Sequence, residues 1–371
     1  MATTAPAPSA PPALTFPRPI FAAVSPHPFL QAHLSAASKS SKKGLRANGR
    51  TAHEFRTPGL HTGSLTHCNG SAVVRLGNTS VVCGVRGEIL REEDISGEVP
   101  TPNLHASEDE NLEDEDDDDD NDDEISKLRL LVPNIELSTG STPTHIPGNA
   151  PSTHAQTLIT RIRSLLHSTR LLHPRTLRIL HTPPTTADPP HAPERPQLKG
   201  YWVLYLDIFF ISIDGNAFDA AWLSLLAALQ NTTLPHAFYD DQLERILCSD
   251  DPTEARRLAL RGCPVAASFA VFEASAEDGD DDDDAGQRDE DSRAAGHWIL
   301  SDPDAFEESV CTETVCLVVD GRGGGEAGVV LRRVEKSGGA VVGRRELAGL
   351  VDRAGARWRE VFAGLGRDGV R

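Results

Sequence analysis

The sequence has no uninterrupted apolar stretch of about 18 residues. A helix crossing a bilayer needs roughly that length, so no transmembrane helix and no membrane partner are expected, and the protein reads as soluble. It also has no CxxC pair. Its six cysteines, Cys68, Cys83, Cys248, Cys263, Cys311 and Cys316, are scattered through apolar runs and do not form the dense framework of a disulfide-stapled domain. They are expected to be reduced, buried thiols of an intracellular protein. The 14 histidines include no HExxH and no Cys/His spacing suited to zinc, so neither a metal nor a cofactor is expected. GxSxG is absent as well. Gly321 to Gly325 is glycine-rich but lacks the Lys-Ser/Thr ending of a phosphate-cradling loop and lies between two β-type runs, which predicts a hairpin turn.

What the chain does have is charge, unevenly placed. Of 371 residues, 55 are acidic and 36 are Lys or Arg, a net charge of −19. Glu108 to Glu124 holds 14 acidic residues and no basic one, and Glu277 to Asp291 holds ten with one Arg. Such like-charged blocks repel themselves and bury too little surface to offset their ordering entropy, so both are expected to be solvated insertions. The rest of the chain is close to neutral, which argues against a free-standing basic RNA binder. The first forty residues lack acid and are broken by eight prolines from Pro6 to Pro28. That density prevents the continuous amphipathic helix of an import signal and predicts a disordered tail.

Pattern then divides the chain. The expected organisation is a tail over 1–43, a first half over 44–250 and a second half over 251–368. The first half carries an acidic insertion at 105–126 and a Pro-rich loop at 181–199, and the second an acidic insertion at 276–295. Ser64 to His67, Ser71 to Leu76 and Thr79 to Val85 read as strands, and Asn69-Gly70 and Gly77-Asn78 supply the turns. Thr153 to Leu172 has helical spacing. Tyr201 to Ile213 reads as a strand buried on both faces. Asp214-Gly215-Asn216 is a turn into a nearly all-apolar helix over Ala217 to Leu229. Val265 to Phe272, Trp298 to Leu300, Cys311 to Val319 and Val329 to Val334 are further strands, closed by a helix over Arg344 to Leu365. The predicted fold class is α+β, two similar halves that each pair a sheet with helices.

Several residues carry a family resemblance. Arg46-Ala47-Asn48-Gly49-Arg50, Glu54-Phe55-Arg56 and the run Gly70 to Val81, with its GSA and GNT elements, resemble the opening of the RNase PH family. Val132-Pro133-Asn134, Leu226 to Leu229, Leu234-Pro235 and Asp302-Pro303 with Glu307-Glu308 are similar to its eukaryotic exosome ring subunits. Asn48, in place of the usual Asp, and Asp304-Ala305, in place of Thr-Gly or Thr-Glu, depart from the pattern. The resemblance implies an RNase PH fold (ribosomal protein S5 domain 2-like) in a ring with other RNase PH-like exosome subunits. It further implies S1/KH cap subunits, single-stranded RNA in the channel, and a location in nucleus, nucleolus and cytoplasm.

The resemblance also frames the chemistry. Active relatives bind the attacking phosphate with a Gly-Thr/Ser-Arg-Ser/Thr element at a helix N-terminus. Here the corresponding turn reads Asn216-Ala217-Phe218-Asp219, with Phe218 at the Arg position and Asp219 expected to repel phosphate and cap the helix. For the family's two aspartates, six positions apart, the alignment offers Glu308 and Thr314. With both halves of the site degenerate, the resemblance implies no catalytic residue and a structural subunit supporting 3′-to-5′ RNA processing. Arg86 and Arg91, in a loop expected after Val85, are the candidates for touching RNA phosphates. Two alternatives stay open: an active phosphorolytic exoribonuclease, and an acidic module that binds basic proteins.

Overall fold

The computed structural model describes residues 17–36, 45–95, 124–142, 152–183, 196–273, 297–321, 328–339 and 341–368. The acidic run over 108–123, the run at 277–291, the Pro-rich residues 184–195 and Gly323 to Gly325 lie outside the described residues. So do 1–16 and 37–43 of the expected tail, and residue 44. The remainder of that tail is a correction. Residues 17–36 form two helices, α1 (Arg18–Val24) and α2 (Pro26–Ala36). The prolines that argued against helix fall at helix starts, where a missing N–H has no intrahelical partner to lose. Pro17 precedes α1, Pro19 sits in its first turn, and Pro26 and Pro28 open α2. Leu30 and Leu34 are buried against Phe272, Leu300 and Cys311 of the second half, which repays the ordering of the segment.

The first half is a mixed six-stranded sheet of β1 (Pro58–Thr62), β2 (Gly70–Leu76), β3 (Thr79–Arg91), β4 (Leu131–Leu137), β5 (Arg178–His181) and β6 (Gln197–Ser212). Its order is β1-β2-β3-β6-β4, with β5 also on β6, and only β4 runs parallel to its neighbour. The expected strand over Ser64 to His67 is a turn, and Pro58–Thr62 pairs with β2 in its place. Strand β3 runs six residues past Val85 because β6 continues opposite it as far as Gly200. Along β6, Leu204, Leu206, Ile208 and Phe210 are buried, whereas Phe209 is 42% and Ile211 50% exposed. The expectation of burial on both faces therefore fails: the strand alternates, with one face on the core and one open.

Helix α3 (Thr153–Thr169) covers β4. Ser152 caps it by accepting the Ala155 N–H at 3.2 Å, and Leu158, Ile162, Leu165 and Leu166 form its buried stripe. Helix α4 (Ala217–Gln230) is buried at every position but the last and packs between β2–β3 and the second sheet. A helix apolar on all sides needs such a double-sided site. Beyond it, β7 (Thr233–Leu234), β8 (Ala237–Asp240), β9 (Arg245–Cys248) and β10 (Arg256–Arg257) make two small ribbons, β7 with β10 and β8 with β9.

The second sheet comprises β11 (Val265–Glu273), β12 (His297–Ser301), β13 (Glu313–Asp320) and β14 (Val330–Ser337), antiparallel in the order β12-β11-β13-β14. Helix α5 (Ala305–Val310) occupies the stretch before β13, so that strand starts at Glu313 rather than Cys311. Val315, Leu317 and Val319 face α6 (Arg344–Asp368) through Leu350 and Ala354. Cys316 and Val318 point the other way, into the core that includes α4. Cys83, Cys263, Cys311 and Cys316 are buried as expected, but Cys248 at the end of β9 is exposed.

Candidate functional site

The two halves meet at the N-terminus of α4. The turn from β6 needs a left-handed backbone, and Gly215 (φ +71°) and Asn216 (φ +50°) supply it. A Cβ at Gly215 would lie 2.3 Å from the carbonyl carbon of Asp304, so only glycine lets the segment before α5 approach. Thr79 Oγ1 locks the turn by donating to the Gly215 carbonyl at 3.0 Å and accepting the Asp214 N–H at 2.9 Å.

Asn216 sits at the centre. Its side-chain amide donates to Asp219 Oδ2 at 2.9 Å and to Asp302 Oδ1 at 2.6 Å, and its backbone N–H donates to Glu308 Oε1 at 2.7 Å. Asp219 does not cap the helix, which corrects the sequence expectation. It is buried and turned toward β11, where it accepts the Ser268 N–H at 2.8 Å and the Ser268 hydroxyl at 2.7 Å. Burial pushes its pKa up, against those hydrogen bonds and the one from Asn216. Asp219 is thus a tie between the halves. Phe218 is 5% exposed, and Arg161 of α3 lies over its ring, 3.8 Å from the centroid. That arginine is ion-paired with Glu335 at 2.7 Å. The cavity that touches Asp219 is about 10 Å³. Such a space holds about one water molecule.

Of the two acid-site candidates, Glu308 stands at this turn and Thr314 does not. Three carboxylates converge on Asn216, those of Asp219, Asp302 and Glu308, and the last two are six positions apart. Thr314 lies on β13 opposite Ala270 and Ser337, in the sheet ladder. Asp302 is fully buried with φ +51°. Burial would raise its pKa, but Arg56 outweighs it and holds Asp302 below the usual carboxylate range. The Arg56 guanidinium donates to Oδ2 at 2.8 Å and Oδ1 at 2.7 Å, and its backbone N–H adds a bond to Oδ2 at 2.9 Å. Desolvation pushes the Glu308 carboxyl up to about 7, against the Asn216 N–H and Arg56. Glu308 is an exposed residue, so solvent screens much of the energetic consequence.

Three arginines missed as site residues clasp this segment from the first half. Arg46, 1% exposed, is doubly paired with the buried Glu307 and donates to the Ser301 carbonyl at 2.6 Å and the Asp302 carbonyl at 3.0 Å. Arg50 reaches Asp302 Oδ2 at 3.3 Å. Arg56 makes the bidentate pair already described. Glu307 also closes a capping box with Asp304. The departures at positions 48 and 304 prove to be partners: Asn48 Nδ2 donates to Asp304 Oδ2 at 2.7 Å. An aspartate at 48 would set two carboxylates against each other there. The signal for the clasp was present in the Arg-Ala-Asn-Gly-Arg and Glu-Phe-Arg elements, but its partners lie about 250 residues away.

Arg86 and Arg91 are elsewhere. Both lie in strand β3, not in a loop. Arg86 is 3.4 Å from Glu88 and stands over the Tyr205 ring at 5.6 Å, and Arg91 is an exposed residue at the strand's end, opposite Gly200. Among the described residues no cluster of His, Cys, Asp and Glu suits a metal ion.

Comparison with known proteins agrees with this architecture. Residues 54–235 match the "3′ exoribonuclease family, domain 1", the RNase PH domain. The chain is 29% identical over 307 residues to the exosome complex component rrp43 of Schizosaccharomyces pombe, covering 83% of this chain and 85% of that protein. It is 25% identical over 282 residues to the exosome complex component Rrp42 of Thermococcus gammatolerans, covering 76% and 77%. Among solved structures, a chain of the Archaeoglobus fulgidus exosome with RNA bound to the active site shares the fold. Its TM-score is 0.55 at 21% identity, covering 91% of this chain and 97% of that one. The matched domain, the motifs that build the clasp and the two-sheet fold with its shared helix identify an RNase PH domain over residues 54–235 of this chain.

Proposed function

We propose that this chain is a non-catalytic ring subunit of the RNA exosome, which completes a hexamer of RNase PH folds and lines the channel for single-stranded RNA. The observation that carries this reading is the charge arrangement at the α4 N-terminus. Phosphorolysis needs a cation to hold the attacking phosphate and to balance charge developing in the transition state. In this chain the position of the phosphate-binding arginine is Phe218. Asp219, Asp302 and Glu308 surround the turn. Arg46, Arg50 and Arg56 are committed to Glu307 and Asp302, and Arg161 to Glu335. Among the described residues, an incoming phosphate at this turn would meet carboxylates and guanidinium groups already paired with acids.

The open face of β6 supports assembly. Phe209 and Ile211 stand exposed on it, and Val82 of β3 pairs with Phe209. Apolar surface on a sheet that its own helices leave uncovered suits an obligate subunit contact. In the complex the chain would work beneath S1/KH cap subunits and beside a separate nuclease, in nucleus, nucleolus and cytoplasm. A second reading, an active phosphorolytic exoribonuclease, takes support from Asp302 and Glu308 standing six positions apart, with Glu308 poised near neutrality. The missing arginine weighs against it. The test is affinity purification of the tagged chain with mass determination. Recovery of five further ring-type chains supports the proposal, and a lone monomer contradicts it.

A further inference from the structure

Charge segregation continues past the acidic run in a way the ring assignment does not use. From Ile125 to His181 the chain has seven Lys and Arg residues and a single acid, Glu136. Arg161 and Arg178 are drawn inward, to Glu335 and to the buried Glu124. The other five, Lys127, Arg129, Arg163, Arg170 and Arg175, are all exposed. Arg163 and Arg170 lie on α3 and its C-cap, Arg175 in the loop that follows, and Lys127 and Arg129 just before β4, the strand that α3 covers. Arg163, His167 and Arg170 follow at i, i+4 and i+7 along α3 and its C-cap, so they share a helix face. Desolvation lowers the His167 pKa, and the nearby Arg163 charge lowers it further. A cavity of about 340 Å³ joins His167 and Arg170 to Ile125 and Ser126, immediately before Lys127. Arg261 adds a sixth exposed cation, its backbone N–H donating to the Leu171 carbonyl at 2.9 Å.

The acidic run enters the fold at this same place. Glu124 is 2% exposed and anchored by Arg178 Nε at 3.0 Å and by the Tyr201 hydroxyl. This corrects its assignment to the solvated insertion. Thirteen acids therefore precede it over residues 108–123, tethered within a few residues of Lys127. Sixteen residues reach about 50 Å when extended. The seventeen-residue α3 is about 25 Å long, so the run is long enough to follow the whole basic face. A tether this short gives an effective concentration in the millimolar range, ahead of any polyanion that must arrive from solution.

We propose that the basic face formed by α3, its C-terminal loop and residues 127–129 is a polyanion-binding surface whose occupant is the chain's own acidic run over 108–123. Bound there, the run would compete with RNA and other anions for these cations. The inference is independent of the catalytic state of the α4 site.

The test uses the full chain with residues 108–123 replaced by a Gly/Ser linker of equal length, and a fluorescent synthetic peptide of residues 108–123 as the probe. Expected is saturable peptide binding that weakens as salt rises, with the intact chain binding the same peptide about tenfold more weakly. The triple variant Arg163→Glu/Arg170→Glu/Arg175→Glu should abolish it, while Arg245→Glu/Arg256→Glu, exposed cations on the small ribbons, should not. If the charge reversal fails to fold, Arg163→Gln/Arg170→Gln/Arg175→Gln is read in its place and should weaken binding about tenfold. Absence of peptide binding at low salt, or equal binding to both arginine variants and the parent, overturns the proposal. So does binding of a single-stranded RNA of the same length by the linker chain without binding of the peptide, which would make the face a nucleic-acid surface.

Discussion

Arg56→Ala tests the clasp at its strongest point. The Arg56 side chain is 10% exposed and Asp302 1%, and their contact is bidentate at 2.7 and 2.8 Å. Removing one partner of a buried pair leaves an uncompensated charge, which costs about 3 to 5 kcal/mol. Asp302 would keep the Asn216 amide at 2.6 Å, the Arg56 backbone N–H at 2.9 Å and Arg50 at 3.3 Å. The expected loss is therefore about 3 kcal/mol, a large part of a typical folding free energy of about 5 to 15 kcal/mol. The pH dependence has a defined sign. Asp302 is held below its reference value of 3.8, so its contribution is present above that pH and is lost as pH falls through the still lower folded value. The gap between parent and variant should be full at pH 7 and close in strongly acidic solution, where Asp302 is protonated in both. Urea unfolding of parent, Arg56→Ala, Asp302→Asn and the double variant measures the coupling. A loss below about 0.5 kcal/mol at pH 7, within the range of ordinary surface substitutions, refutes the reasoning. An equal loss in the Asp302→Asn background does so too.

Other perturbations probe the same junction. Gly215→Ala should lower the thermal midpoint by several degrees, because its Cβ would meet the Asp304 carbonyl carbon at 2.3 Å and φ is +71°; an unchanged midpoint by calorimetry contradicts the close approach. Glu308 is raised from 4.5 to about 7, so its protonated form is the favoured one in the fold. The stability that protonation provides is full below pH 4.5 and is lost as pH rises through about 7; in Glu308→Gln, where the amide oxygen still accepts the Asn216 N–H, that decline between about pH 4.5 and 7 should flatten in thermal unfolding. Asn48→Asp should cost about 0.5 kcal/mol in urea unfolding, by opposing the carboxylate of Asp304, and high salt should reduce the loss.

Much of the fold is legible in local pattern. Helix α4 is apolar on all sides and follows Asp-Gly-Asn, so its position and burial both follow from composition. The stripe of α3 and the strands of both sheets likewise repeat at periods set by their own backbones. The misreadings share a different cause. The helices over 17–36 depend on Leu30 and Leu34 finding Phe272 and Leu300, a contact no proline count contains. Whether β6 is covered on its Phe209 face depends on what packs above the sheet, since apolar residues there read the same in either case. Arg86 and Arg91 were placed in a loop because the length of β3 is fixed by its partner β6. At the site, Phe218 and Asp219 were identified from their turn, yet Asp219 points to Ser268 and not to the helix N–H groups. Asp302 is not legible as a site residue because its partners Arg56 and Asn216 lie 246 and 86 residues away.

The most direct test of the central claim is incubation of the purified chain with end-labelled single-stranded RNA, with and without inorganic phosphate, with nucleoside diphosphate release as the readout. The account predicts no phosphate-dependent shortening, and none in Phe218→Arg either, because Asp219 and the Arg161–Glu335 pair remain. Phosphate-dependent release of nucleoside diphosphates by the parent chain, lost in Glu308→Gln, would contradict it.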